Sequence, residues 1–138
     1  MKFFYFYLGL LCLGLVRIAV AAEGEGPGES VIVINELFAT SEAEYVDDDG
    51  EAADWVEITN LGAEAVSLAG WHFTDDAEVQ AKWTFPETTL AAGEFLVVYA
   101  TGKDRVDPSM PLHTNFKLSD GGETLSLAMP DGKAGHLL

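Results

Sequence analysis

Asp47-Asp48-Asp49-Gly50-Glu51 gathers four carboxylates around one glycine, and Asp54 follows three residues later. Oxygen ligands on a tight turn are what calcium takes, six to eight of them, often from one loop. The best-placed ligands would be Asp47, Asp49 and Glu51. An EF-hand-type loop, however, needs an acid where Tyr45 stands and a glutamate six residues beyond Gly50, where the chain has Val56. The expectation is therefore a solvated acidic loop without a metal. A calcium site ranks behind it, and a metal-dependent hydrolase using the Asp47–Asp54 loop ranks further back.

Other chemistry is sparsely provided. Ser30, Ser41, Ser67, Ser109, Ser119 and Ser126 include none in a G-x-S-x-G setting. His72, His113 and His136 stand alone, with no H-x-x-x-H spacing, which argues against zinc. They read as ordinary strand or surface histidines. Cys12 is the single cysteine, so no disulfide can form within the chain. Paired carboxylates in so acidic a chain are weak grounds for acid–base catalysis. No phosphate loop is present. The chain reads as a non-enzyme with no catalytic or cofactor residues.

The elements that would position these residues are short. Apolar, β-branched or aromatic runs occur at Val31–Phe38, Trp55–Thr59, Val66–Leu68, Trp71–Thr74, Lys82–Phe85, Phe95–Tyr99, Leu112–Leu118 and Thr124–Ala128. Turn chemistry separates them: Asn60-Leu61-Gly62, Ala69-Gly70, Asp75-Asp76, Pro86, Ala91-Ala92-Gly93 and Pro130-Asp131-Gly132. No stretch sustains a helical period, and nothing offers crossover helices for a parallel sheet. The pattern predicts an all-β sandwich or barrel. Trp55, Trp71, Trp83, Phe85, Phe95, Tyr99 and Phe116 lie in or beside the runs and are expected in the core. One or two of them as an aromatic binding platform is the competing reading.

The amino end differs. After Met1 and Lys2, Phe3 to Val16 is an unbroken run of 14 apolar or glycine residues, and Ala19-Val20-Ala21-Ala22 offers small residues for cleavage. This is the layout of a secretory signal peptide over residues 1–22. Its apolar run as a helix reaches about 21 Å, short of a hydrocarbon core of about 30 Å. An uncleaved anchor is the alternative, and would be the chain's only link to a membrane. Residues 23–30 (EGEGPGES) read as a flexible linker, and 31–138 as one domain. The expected destination is outside the cell, or its envelope or periplasm. Cleavage removes Lys2 and Arg17 and no acid, which takes the formal charge from −16 to −18. Such a surface repels polyanions, which excludes nonspecific nucleic-acid binding and attraction to anionic lipid.

The motif order carries a resemblance. Ile34-Asn35-Glu36-Leu37 comes first, then Asp54-Trp55-Val56-Glu57-Ile58-Thr59-Asn60, Leu68-Ala69-Gly70-Trp71 and Thr74-Asp75-Asp76. Lys82-Trp83-Thr84-Phe85-Pro86 and Leu90-Ala91-Ala92-Gly93-Glu94-Phe95-Leu96-Val97-Val98 follow. Leu112-His113-Thr114-Asn115-Phe116-Lys117-Leu118 and Gly122-Glu123-Thr124-Leu125 close the series. Over nearly all of residues 31–132 the chain resembles the lamin tail domain of secreted bacterial proteins. The resemblance implies an immunoglobulin-like β-sandwich and a non-catalytic module, with no catalytic residues to carry over. The family's link to chromatin does not suit so acidic an exported chain.

The function expected on these grounds is attachment or protein interaction at the cell surface, with an unidentified protein or surface ligand. The alternative is an accessory module of a larger exported hydrolase or surface protein. A closing strand from Lys133–Leu138 would be weak, since Gly135 interrupts it. In the chain from residue 23 onward Thr124–Ala128 would then be partly unpaired and open to self-association along a C-terminal edge; a short terminal strand that suffices is the alternative.

Overall fold

The fold is known from a computed structural model, which describes residues 17–20, 32–39, 45–119, 122 and 124–130. The apolar run of the signal segment, the linker 23–30 and the closing strand expected over 133–138 lie outside the described residues.

Among the described residues ten strands follow in chain order: β1 (Arg17–Val20), β2 (Ile32–Phe38), β3 (Asp54–Asn60), β4 (Val66–Ser67), β5 (His72–Thr74), β6 (Trp83–Thr84), β7 (Thr89–Leu90), β8 (Phe95–Ala100), β9 (Leu112–His113) and β10 (Thr124–Ala128). They form two four-stranded sheets, ordered β1-β10-β5-β6 and β2-β3-β8-β9, and a small β4-β7 pair. Among the described residues there is no helix, and so none long and apolar enough to cross a membrane. Each of the eight runs seen in the sequence contains a strand. β7 and β1 were not foreseen.

Alternation decides which side chains face inward. In the second sheet, Ile34 pairs with Ile58 and Ile58 with Leu96; Leu37 pairs with Val56 and Val56 with Val98. In the first, Leu127 pairs with Phe73 and Phe73 with Trp83. These residues join Leu68, Trp71, Phe85, Leu90, Leu112, Phe116 and Leu125 in one buried cluster fed by both sheets, with Leu37 and Leu96 partly buried against it. Phe73, Trp83 and Phe85 pack ring on ring, with centroids 4.8–6.3 Å apart. Gly70, at φ 75°, makes the tight turn before Trp71; a Cβ there would meet Pro130 at 3.3 Å.

The same alternation corrects the core expectation. Trp71, Trp83, Phe85 and Phe116 are buried, but Trp55 and Tyr99 are half-buried and Phe95 is 57% exposed. Val56 and Ile58 take the inner face of β3, so Trp55 points outward with its cross-strand partner Tyr99.

Asn35 and Glu36 occupy a β-bulge of the edge strand β2, where the register against β3 shifts between Ile34 and Glu36. Both are exposed, as residues at a bulge of an edge strand commonly are. Asn60 is fully buried at the end of β3. Its amide donates to the Glu64 and Leu90 carbonyls at 2.8 and 3.0 Å, and its Oδ1 accepts from Gly62 N–H. Asp75 pairs with Lys82 at 2.6 Å. The turn there is held by Thr74, whose hydroxyl accepts from Asp76 N–H and donates to the Val79 carbonyl.

The edge expected to be open in the chain from residue 23 onward is met here by residues 17–20, which that chain would lack. β10 pairs antiparallel with β5 on one side and parallel with β1 on the other, in a register of Arg17 with Thr124 through Val20 with Leu127.

Candidate functional site

The acidic loop folds on itself first. A Val46–Ala52 bridge closes it, Gly50 turns it at φ 79°, and Asp47 and Glu51 are joined by a 2.8 Å backbone hydrogen bond. Asp47 is buried, and its Oδ1 accepts the N–H groups of Asp49 and Glu51 at 2.9 and 3.0 Å. Aspartate suits this position because its short carboxylate reaches the backbone of its own turn.

Opposite lies the segment that leaves β8. Thr101 bridges Lys117 and Arg105 bridges His113, with Gly102 and Asp104 at positive φ between them. This backbone aims Lys103 and Arg105 at the acidic loop. Lys103 Nζ lies 2.5 Å from Asp47, 2.7 Å from Asp49 and 3.0 Å from Glu51. The three residues singled out as cation ligands do converge on a cation, and that cation is an ammonium of the same chain. Arg105 donates to Asp48 at 2.5 Å and to Asp49 at 2.7 Å.

His113 completes the network from β9. Its ring is fully buried and lies 5.1 Å from that of Tyr99. Nε2 is 2.8 Å from Asp48 Oδ1, and Nδ1 is 2.8 Å from Thr101 Oγ1. An ionised carboxylate only accepts, so Nε2 carries the hydrogen and donates it to Asp48. Asp47, Asp48 and His113 have ligand atoms within 4.8 Å of one another. A metal taking them would have to displace Lys103 and Arg105 and break the His113–Asp48 hydrogen bond.

Electrostatics follow the geometry. Desolvation pushes the Asp47 carboxyl up, but the Lys103 hydrogen bond and the two backbone N–H groups outweigh it, and the net shift is downward. Asp48 behaves alike: desolvation raises it, while His113 and Arg105 bring it below its ordinary value. Asp49 is lowered by Lys103 and Arg105. Lys103 is held well above the usual lysine range by Asp47 and Asp49.

These contacts revise the sequence reading of the loop. It is a solvated acidic turn only in part, because Asp47 is buried and Asp47, Asp48 and Asp49 are all ion-paired. Lys103, Arg105 and His113 were not picked out as its partners. The available signal was the spacing of Lys103 and Arg105, two of the chain's seven basic residues, just past an apolar strand. His72 pairs with Thr84 across β5 and β6 at 2.9 Å, and Ser109 donates to Asp107 in an exposed loop. His136 lies outside the described residues.

An all-β fold whose core is shared by two sheets is consistent with an immunoglobulin-like β-sandwich. The lamin tail domain family matches residues 26–136. The chain belongs to this family, an immunoglobulin-like, non-enzymatic domain type. Comparison with curated proteins returns no match.

Proposed function

We propose that this chain is a non-catalytic, exported module that acts in attachment or protein interaction at the cell surface. The observation that supports the reading is the saturation of the carboxylate and imidazole cluster found among the described residues. The Asp47, Asp48 and Asp49 carboxylates have cationic partners, and both His113 ring nitrogens are engaged. Such a cluster clamps two loops together; it presents neither a free base nor an open ligand position. The family's domain type, the signal-like residues 1–22 and the acidic surface support the same reading.

The test is to express the chain with its own leader and a carboxy-terminal epitope tag, then fractionate cytosol, envelope and medium. The product is expected outside the cytoplasm and retained on washed cells. A pool confined to the cytosol, or an exported product that washes away freely, overturns the proposal.

A further inference from the structure

The outer face of β2, β3 and β8 presents rings where a solvated sheet face ordinarily presents polar side chains. Cross-strand register puts Phe38, Trp55 and Tyr99 in one row. Phe38 and Trp55 lie nearly parallel, with centroids 6.1 Å and planes 12° apart. Tyr45 stands edge-on to both, at 4.6 and 6.2 Å, and is 48% exposed. Together they make an aromatic corner open to solvent.

The next row, about 7 Å along the strands, holds Glu36, Glu57 and Val97. Glu36 is exposed on the bulge, and Glu57 is anchored by the Asn35 amide at 2.7 Å. A third row ends in the exposed Phe95. Lys82, Lys103 and Arg105 are committed to Asp75 and to the acidic loop. Rings beside carboxylates attract cations twice over, through the π face and through charge.

We propose that this face docks an extended lysine- or arginine-bearing segment of a partner polypeptide. The inference rests on the interaction reading above and names the chemistry of the partner. A polypeptide fits better than a lone ammonium headgroup because the acidic row is flanked along the strands by the aromatic row on one side and by the exposed Phe95 on the other. Cationic side chains would meet Glu36 and Glu57, and alternate apolar ones would cover Trp55, Val97 and Phe95.

The probe is a short peptide of the repeat Leu-Ser-Lys-Ser, which as a strand sets leucine and lysine in turn along one face about 7 Å apart, titrated into the purified chain at about 150 mM salt, where weak long-range attraction is screened. Trp71 and Trp83 are buried, so a change in tryptophan emission reports Trp55. The peptide is expected to bind, and Trp55→Phe to remove the emission change. Glu36→Gln with Glu57→Gln should weaken binding about tenfold, the effect of removing contacts worth about 1.4 kcal/mol. Glu78→Gln with Glu87→Gln, an equal change in charge placed elsewhere, should alter it less than about twofold. Thermal melts establish that each variant folds. Equal weakening by both pairs, no binding at all, or binding of phosphatidylcholine vesicles in place of the peptide overturns the inference. Undiminished cell-surface retention of the Glu36/Glu57 pair variant also removes this face from the interaction reading, while leaving that reading in place. If the wild-type chain is not retained, the interaction reading falls by itself.

Discussion

Lys103 Nζ sits 2.5 Å from Asp47 Oδ2, joining two loops whose paired residues are 56 apart in sequence. The Asp47 side chain is wholly enclosed, while Lys103 keeps 24% of its side chain in solvent. The pair therefore has a buried acceptor and a partly wet donor. This limits the desolvation cost that makes fully interior ion pairs poor stabilisers.

Stability should follow the titration of this pair. The folded Asp47 titrates below its ordinary 3.8, so its contribution is complete above 3.8 and is lost as pH falls through the lower folded value. Lys103 is raised above 10.5, so its contribution is complete below 10.5 and is lost as pH climbs through the higher folded value. Melting temperature is expected to decline below about pH 4. Asp47→Asn should lower the neutral melting temperature by several degrees and flatten the acid limb. Acid limbs that superimpose for wild type and variant would show that the pair contributes nothing.

Millimolar calcium is expected to leave the melting temperature where magnesium leaves it, because Lys103 already sits among Asp47, Asp49 and Glu51. Lys103→Met should destabilise the chain and make it responsive to calcium, since three carboxylates then share no ammonium. A bound ion at about 100 times its dissociation constant adds about 2.7 kcal/mol. A gain of that size in the wild type, absent with magnesium, would contradict the assignment.

Two tryptophans should separate core from surface. Trp71→Ala removes a side chain that is 8% exposed and is expected to cost about 3–5 kcal/mol, a large share of a total of about 5–15 kcal/mol. Trp55→Ala, on the outer face, should cost clearly less. Denaturant midpoints for the two variants test the order, and its reversal would reassign the faces of β3.

The exported product is expected to begin at Ala22 or Glu23, which amino-terminal sequencing of secreted material would read directly. An intact Met1 in washed membranes would indicate an anchor. Cleavage at that point would also remove Arg17–Val20, the strand that pairs with β10.

The sheets were legible because a two-residue period and turn residues mark strands locally. Gly70, Pro86 and the Asn60 turn all fall where the sequence placed breaks. The outward aromatics were legible in principle: Trp55 alternates with Val56, and Phe95 and Tyr99 alternate with Leu96 and Val98. Ring size argues for the core and parity for the outer face, and in the folded chain parity prevails. The ionic network was not legible. Asp47 meets Lys103 only after β8 is laid beside β3, and no local pattern encodes that distance. β1 was hidden for a similar reason, since its residues read as the end of an export signal.

The β3–β8 pairing has a kinetic consequence. Its strands are separated by the whole of β4 to β7, so the loop between them must close before their contacts can reward it. Folds dominated by such distant partners reach the native state in milliseconds to seconds, far more slowly than those built from local contacts. The Lys103–Asp47 link can form only once that pairing is in place, which sets it late on the path. Late contacts act on the rate of escape more than on the rate of arrival. Losing the link should therefore shorten the lifetime of the folded chain and leave its refolding rate nearly unchanged.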